Sequence, residues 1–219
     1  MKRLLIAGNW KSNKTTAEAM RWIQDFKERA PHYSEFMTIV LCVPFTLLYS
    51  VKEAIGTLPF VLGAQNVSPY PDGAQTGEES ARMVKELADW VIIGHSERRK
   101  NFSETDAVLA EKVKQAKEAG LKIIYCVSDD QMTIPQGIDV VAYEPVWAIG
   151  TGKTDTPENA NTVITNIKAK SQVLTVLYGG SITADSAASF VRQPNIDGVL
   201  AGGASLNAEK FAALITKVQ

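Results

Sequence analysis

The segment Val140–Lys153 reads Val-Val-Ala-Tyr-Glu-Pro-Val-Trp-Ala-Ile-Gly-Thr-Gly-Lys, and the rest of the chain converges on it. Its first three residues form a short apolar run, which predicts a buried strand. Glu144 stands at the end of this strand, and Pro145 ends the pairing because it has no amide hydrogen to donate. An apolar loop without helical spacing follows and finishes in Gly150–Lys153. This pattern indicates a base beneath a lid; an ordinary strand-to-helix loop with a surface glutamate is the alternative.

Short apolar runs alternate with helical patterns along the rest of the chain. The runs are apolar on both faces, which is typical of parallel strands covered by helices. We predict strands near Leu4–Asn9, Met37–Val43, Phe60–Ala64, Trp90–Gly94, Leu121–Val127, Asp139–Glu144, Val173–Tyr178 and Asp197–Gly202. We predict helices near Thr15–Arg29, Leu47–Ile55, Glu78–Ala88, Glu104–Ala119, Pro157–Lys170, Ala184–Val191 and Ala208–Lys217. The alternation predicts an α/β fold, a (β/α)8 barrel that forms a single domain over residues 1–219.

The composition fits one globular domain without a strongly charged partner. The chain has 219 residues, 45% of them apolar, and a net charge of −1. We therefore expect no binding to nucleic acid or to an anionic membrane, and any anionic ligand must be held by local groups. No apolar run is long enough to cross a bilayer, and the run Leu4–Ala7 is too short for a signal peptide. Cys42 and Cys126 lie in apolar runs as buried thiols would, so we expect a reducing, cytoplasmic location.

In such a barrel the functional side chains lie at the carboxyl ends of the strands. After the first strand, Asn9 and Lys11 are two residues apart and share a face, and a lysine there suits an anionic substrate. After the fourth strand, His95 stands at the start of a helical turn, where backbone amides disfavour a positively charged imidazole. A solvated loop lysine and a structural histidine are the alternatives.

Two pairs of glycines follow the seventh and eighth strands. The stretches are Tyr178-Gly179-Gly180-Ser181 and Gly202-Gly203-Ala204-Ser205. Paired glycines expose backbone amides, and in barrels the loops after these two strands commonly hold phosphate. Either pair alone is a weak signal, but the two together predict a phosphate site.

These motifs, in this order along the chain, resemble those of the triosephosphate isomerase family. The resemblance covers Leu4 to Leu206. It is carried by Asn9-Trp10-Lys11, Ala64-Gln65-Asn66, Gly73-Ala74, Thr76-Gly77-Glu78, Gly94-His95-Ser96-Glu97-Arg98-Arg99, Ala142 to Lys153, Tyr178 to Ser181 and Gly202 to Leu206.

The resemblance implies interconversion of dihydroxyacetone phosphate and D-glyceraldehyde 3-phosphate through an enediolate. It implies that Glu144 is the base, that His95 polarises the carbonyl group and that Lys11 steadies the oxyanion and the phosphate. Asn9 would position the substrate, and Glu97 would orient Lys11. The family is itself a standard example of a glutamate base with a neutral histidine electrophile, so these roles rest on the resemblance.

The resemblance also implies a lid and a phosphate cradle, and neither a cofactor nor a metal. Pro145–Lys153 would be the lid, whose closure excludes water from the enediolate. Ile149 and Leu200 would close over the base. Backbone amides would hold the phosphate at Gly150, Ser181, Gly202 and Gly203.

Two departures from the family pattern concern the lid and the assembly. The family usually carries Cys-x-Gly-Glu after the fifth strand, with the glutamate meeting the lid tryptophan, whereas this chain has Ser128-Asp129 at the last two positions. In the family the loop equivalent to Gln65–Gly77 enters a partner subunit, which implies a homodimer with Thr76 near the neighbour's site. Gln75 replaces the aromatic residue usual in that loop, so we expect weaker association.

The third departure is the short connection between the fifth and sixth strands. A crossover that includes a helix takes at least about ten to twelve residues, and Ser128–Ile138 is barely that long. Pro135 and Gly137 both disfavour a helix here. We therefore expect the fifth helix to be missing or reduced to a turn, with Met132 and Ile134 covering the bare strands.

Two other functions compete with an isomerase of this family. A catalytically silent barrel used as a scaffold would be favoured by loss of Lys11, His95 or Glu144, and all three are present. A different phosphate-binding barrel enzyme, such as a Schiff-base aldolase, would need a lysine well inside a strand. Lys122 instead opens the fifth strand.

Overall fold

The computed structural model describes residues 2–29, 33–147 and 155–219, and within them eight parallel strands close into a barrel in sequence order. The strands are β1 (Leu4–Asn9), β2 (Met37–Val43), β3 (Phe60–Ala64), β4 (Trp90–Ile93), β5 (Lys122–Val127), β6 (Val140–Tyr143), β7 (Thr175–Tyr178) and β8 (Gly198–Ala201). The helices are α1 (Thr16–Arg29), α2 (Phe45–Ile55), α3 (Ala81–Lys85), α4 (Ser96–Asn101), α5 (Asp106–Glu118), α6 (Pro157–Ser171), α7 (Ala184–Val191) and α8 (Ala208–Lys217), with a 3-10 turn at Gly203–Leu206. The predicted (β/α)8 barrel is confirmed.

Alternation along each strand divides the apolar residues between two layers. One set points into the barrel and forms a compact inner cluster that includes Ala7, Cys42, Ile92 and Leu177. The other set points outward and packs against the helices in a larger cluster. Because both faces of each strand are buried, the sequence shows continuous apolar runs instead of an apolar–polar alternation.

The predicted strand bounds agree with the structure to within two residues. The helices agree less well, and the largest difference is α4, which was not predicted as a separate helix. Its sequence, Ser-Glu-Arg-Arg-Lys-Asn, has no apolar period, and none of its residues is buried. The predicted helix near Glu78–Ala88 is shorter, since the Ser80 hydroxyl accepts the Met83 amide and so starts α3 later.

The connection between β5 and β6 contains no helix, and all of its residues, 128–139, are described. Met132 and Ile134 are partly buried and pack against the outer core, as predicted. The carboxylate of Asp129 accepts the amides of Gln131 and Met132 at 2.8 and 3.1 Å, which forms a tight turn. A closed barrel is held by its strand ladders and packed layers, so it tolerates the loss of one outer helix.

This connection is tied to the neighbouring helix α6 through Asp130. Its carboxylate Oδ2 accepts a hydrogen bond from Asn166 Nδ2 at 2.7 Å, and its backbone oxygen accepts one from Lys170 Nζ at 2.8 Å. The hydrogen bond from Gln131, followed by the one from Asn166, lowers the pKa of Asp130. The connection therefore crosses the outer face of the barrel as a strap held at its first turn.

Hydrogen exchange tests how the strap is held. We expect residues 128–138 to be among the least protected segments, because few of their amides take part in regular pairing, while Val140–Tyr143 stays protected. Asp130→Ala removes the carboxylate contact with α6 and should speed exchange in the strap several-fold. Glu111→Ala, on the exposed face of α5, is the control. Equal protection of the strap and β6 in the parent protein would contradict this description.

Candidate active site

A cavity of about 230 Å³ opens at the carboxyl ends of the strands. Its lining includes residues that follow β1, β4, β6, β7 and β8, which the barrel brings together from distant parts of the sequence. The lining residues are Asn9, Lys11, His95, Glu144, Gly179, Gly180, Ser181, Ile182, Leu200, Gly202 and Gly203. Of the predicted site residues, Glu97 lies beside this cavity and contacts Lys11. Gly150 and Ile149 lie outside the described residues.

Glu144 is the most deeply buried acidic group in the cavity, with 2% of its surface exposed. Its amide donates to the Val127 carbonyl at 2.7 Å, which continues the ladder from β6 to β5 by one more bond. Its Oε1 lies 2.9 Å from His95 Nε2, and its Oε2 accepts the Ser96 amide at 2.9 Å. Ser96 opens α4, where the first amides have no helical carbonyl as partner. The carboxylate is therefore held on two sides by α4 and the residue before it.

Cys126 supplies a further contact to this carboxylate that the sequence did not reveal. Its thiol lies close enough to interact electrostatically with Glu144, and the cysteine is fully buried. Burial, followed by the nearby negative charge of Glu144, raises the pKa of Cys126 well above its usual value. The thiol therefore remains neutral beside the carboxylate.

The geometry around His95 defines which of its ring nitrogens carries the proton. The Glu97 amide donates to His95 Nδ1 at 3.2 Å, so Nδ1 presents a lone pair. We assign the proton to Nε2, which faces Glu144 Oε1. A ring in this state is neutral and directs an N–H donor into the cavity.

Lys11 is fixed at both its backbone and its side chain. It adopts a left-handed conformation with φ of 52°, and its amide donates to the Asn9 side chain at 2.9 Å. Its Nζ pairs with the Glu97 carboxylate. Both side chains are partly exposed, so solvent screens the pair and its main consequence is orientation. A methyl group added at Gly202 would lie 3.3 Å from Lys11 Cε, so the glycine leaves room for the lysine.

The glycine pair after β7 is required by close packing. A methyl group added at Gly180 would lie 2.2 Å from the Tyr178 hydroxyl, and one at Gly179 would lie 3.2 Å from Glu144 Cγ. The second pair is held by Ser205, whose hydroxyl donates to the Gly202 carbonyl at 2.7 Å. Ser205 is fully buried, and only the tertiary structure reveals its role in shaping this turn.

Tyr143 contacts Trp147 in the predicted lid and Asp155, which follows it in the chain. The Tyr143 hydroxyl lies 3.4 Å from Asp155 Oδ2, and it also shares a hydrogen bond with the indole of Trp147. Burial, together with Asp155, raises the pKa of Tyr143 to about 12, against the opposite effect of the Trp147 hydrogen bond. The indole therefore has a partner at Tyr143 in a chain that lacks the family's glutamate near Asp129. Residues 148–154 lie outside the described residues.

Within residues 2–29, 33–147 and 155–219, no helix combines the length and the apolar character needed to span a membrane. Across the same residues, no group of three or more His, Cys, Asp or Glu side chains is arranged to hold a metal ion.

A closed parallel barrel with a buried glutamate, a histidine and a lysine around one cavity defines a (β/α)8-barrel enzyme. Comparison with known proteins identifies the family. The family model described as triosephosphate isomerase matches residues 4–218, and the chain belongs to this family.

Individual relatives are similar to this chain over nearly its whole length. The triosephosphate isomerase of Alkaliphilus metalliredigens is 40% identical, over 98% of this chain and 99% of its own length. That of Synechocystis is 41% identical, with 98% of both chains covered. A crystal structure of triosephosphate isomerase from Bartonella henselae superposes with a TM-score of 0.84 at 32% identity, covering 98% of each chain. The Alkaliphilus alignment spans 248 positions, more than the 219 residues of this chain, which agrees with a shortened barrel.

Stability at alkaline pH tests the buried thiols. Burial raises the pKa of Cys42 from 9.0 to about 12. Above pH 9 the unfolded chain loses this proton while the folded chain keeps it, so the free energy of unfolding falls by about 1.4 kcal/mol per pH unit up to the folded pKa. Chemical denaturation at pH 8 and pH 10 should show a loss of stability that is smaller by about 1.4 kcal/mol in Cys42→Ala than in the parent. Equal losses would show that this thiol ionises freely in the folded protein.

Proposed function

We propose that this chain interconverts dihydroxyacetone phosphate and D-glyceraldehyde 3-phosphate, with Glu144 as the base and without a cofactor. The observation that carries the proposal is that Glu144, His95 and Lys11 line the same cavity as two glycine-rich turns. A base, a neutral N–H donor and a cation around one small volume suit proton abstraction next to a carbonyl group. The reaction is an internal redox exchange, so it needs no external oxidant or reductant.

The proposed steps follow from the contacts of each group. Glu144 exchanges its bond with His95 for the substrate and removes a proton from C1 of dihydroxyacetone phosphate. The electron pair of the broken C–H bond becomes the C1–C2 double bond, and charge moves to the C2 oxygen. The Nε2–H of His95 and the ammonium group of Lys11 stabilise this oxygen. Glu144 returns the proton to C2, and the hydroxyl proton at C1 moves to the C2 oxygen, giving the aldehyde.

The phosphate group is proposed to lie against the turns that follow β7 and β8. Ser181, Gly202 and Gly203 line the cavity there, and backbone amides suit an oxyanion. Lys11 contributes the positive charge, and Glu97 orients it. Gly150 and the lid that contains it belong to this proposal by the family resemblance, as does the role of Asn9 in positioning the substrate.

The competing functions find less support among these contacts. Lys122 is exposed at the amino end of β5, with its Nζ 5.3 Å from the centre of the Trp90 ring. It is therefore at the opposite end of the barrel from His95 and Glu144, which disfavours a Schiff base with a ligand in the cavity. We further propose a single domain over residues 1–219 and a cytoplasmic location.

We also propose that the chain forms a homodimer through loop 65–77. The base of this loop is closed by a hydrogen bond from the Ser68 amide to the Glu79 carbonyl at 2.9 Å. Its tip is held by Asp72, which accepts a bond from Ser80 at 2.5 Å and pairs with Arg82. The loop is thus rigid enough to serve as an inserted element.

The face around this loop has the character of an interface. Tyr70, Met83 and Phe102 are at least half exposed, and their burial in an interface would be favourable. A cavity of about 340 Å³ lies beside Lys11 and Glu97 and includes Phe102 in its lining. We propose that this cavity receives the loop of a second copy, with its Thr76 near Asn9 and Lys11.

The chemistry is tested by a coupled assay of isomerisation with the parent and Glu144→Gln. The substitution keeps the shape of the side chain and removes the base, so kcat should fall by at least roughly 10²–10⁴-fold. Inhibition by inorganic phosphate should persist, because backbone amides elsewhere would bind it. Glu111→Gln is the control for loss of a carboxylate. Activity of Glu144→Gln within a few-fold of the parent would show that the base is misassigned.

Assembly is tested by sedimentation over a range of protein concentration, with activity measured in parallel. We expect a reversible monomer–dimer equilibrium that is weaker than is usual in the family, because Gln75 stands where an aromatic residue is common. Gln75→Phe should tighten it by at least about a hundredfold, because each dimer buries two of the new side chains and each is worth at least about tenfold. Gln24→Phe, on the exposed face of α1, is the control. A chain that stays monomeric at high micromolar concentration and is fully active would contradict the proposal.

A further inference from the structure

We propose that Arg99 is a positioning residue that sets the distance between His95 and Glu144 by joining the carboxyl ends of β4 and β5. The inference rests on the proposed function, because it concerns the two groups assigned to proton transfer. Arg99 is absent from the lining of the cavity that holds Lys11, His95 and Glu144. Any effect on the reaction must therefore pass through other residues.

The guanidinium group bonds to both strand ends at once. Arg99 Nε donates to the Gly94 carbonyl at 2.9 Å, and Nη2 lies 3.4 Å from the Cys126 carbonyl oxygen. Nη2 also donates to the Tyr125 hydroxyl at 3.1 Å. The planar guanidinium presents several donors in a fixed geometry, so one side chain can hold two carbonyls on different strands.

The brace begins where the strand ladder ends. The last residue pair in the β4–β5 register is Ile93 with Tyr125. Across the described residues, no backbone hydrogen bond joins Gly94 or His95 to Cys126 or Val127. The side chain of Arg99 thus supplies the first connection between the two chain segments beyond their paired region.

Each peptide that Arg99 holds lies next to a residue that either is a proposed catalytic group or bonds to one. On the β4 side, the Gly94 carbonyl belongs to the peptide that links Gly94 to His95. On the β5 side, the carbonyl that follows that of Cys126 in the chain is that of Val127, which accepts the Glu144 amide at 2.7 Å. A shift of either peptide would move His95 or Glu144 relative to the other.

The packing around the guanidinium leaves it little freedom. The Arg99 side chain is 19% exposed and lies over the Tyr125 ring, with 5.6 Å between the guanidinium carbon and the ring centre. Gly94 has a φ of 76°, and a methyl group added there would lie 3.1 Å from Arg99 Nη2. The absence of a side chain at Gly94 lets the guanidinium approach this closely.

A surface ion pair is the ordinary explanation for an arginine at this place. Arg99 Nη1 does pair with Asp106 at 2.9 Å, but the Asp106 side chain is 73% exposed. Exposed ion pairs contribute little to stability, since solvent screens them. Removing Asp106 breaks this pair and leaves every contact with the strand ends, which provides a matched control.

The test compares Arg99→Lys with Asp106→Asn in the isomerisation assay. Lysine keeps the charge but cannot bond to both carbonyls in the same geometry. Misplacement of reacting groups by about 1 Å can cost roughly 10²-fold, so we expect kcat per folded molecule to fall at least tenfold. KM and phosphate inhibition should stay within about twofold, since Lys11 and the glycine-rich turns are untouched. Asp106→Asn should match the parent, and equal kcat values for all three proteins would overturn the proposal.

A second variant and a second readout separate positioning from folding and from the proposed function. In Arg99→Ala, millimolar guanidinium ion should restore part of kcat, whereas methylammonium ion should not; no selective rescue would count against the brace. Nitrogen NMR of the His95 ring in the free protein should change in Arg99→Lys and not in Asp106→Asn. This spectrum is informative even if the parent lacks isomerase activity, which would refute the proposed function alone. An unchanged His95 spectrum in Arg99→Lys would refute the brace.

Discussion

The hydrogen bond from the Glu144 amide to the Val127 carbonyl is the contact on which the proposed site depends. At 2.7 Å it extends the pairing of β5 and β6 by one residue past the end of β6. It fixes the position of the Glu144 backbone, and the contacts with His95 and Ser96 then fix the orientation of the buried carboxylate. The barrel fixes the position of this strand end, because a closed ladder leaves each strand little freedom to slide.

The same two strands carry the largest departure from the family pattern. Their connection has lost its helix, yet the ladder between them is complete from Ile124 with Val140 to Val127 with Tyr143. The strap replaces part of the helical cover with Met132 and is tied to α6 through Asp130. The barrel thus separates two tasks: the inner layers and ladders position the site, while the outer cover can be shortened.

Much of the fold could be predicted because burial on both faces leaves a direct mark on sequence as continuous apolar runs. The glycine pairs and Glu144 could also be predicted from the sequence, since strand ends are marked by glycine and proline. Other features have no local signal. The polar sequence of α4 gave no helical period, and the contact of Cys126 with Glu144 joins residues on different strands. The partner of Trp147 depends on Tyr143, which reads in sequence as an ordinary strand residue. Long-range contacts of this kind follow from the register of the closed barrel.

The central claim is that Glu144 transfers a proton through an enediolate, and isotope exchange tests it most directly. Dihydroxyacetone phosphate is converted in D₂O, and proton NMR follows carbon 2 of the product. If a carboxylate that exchanges with solvent transfers the proton, deuterium should appear at this carbon of the product and in the recovered substrate. Neither incorporation should occur with Glu144→Gln. Product formed without any solvent deuterium would indicate hydride transfer between the two carbons and would contradict the account.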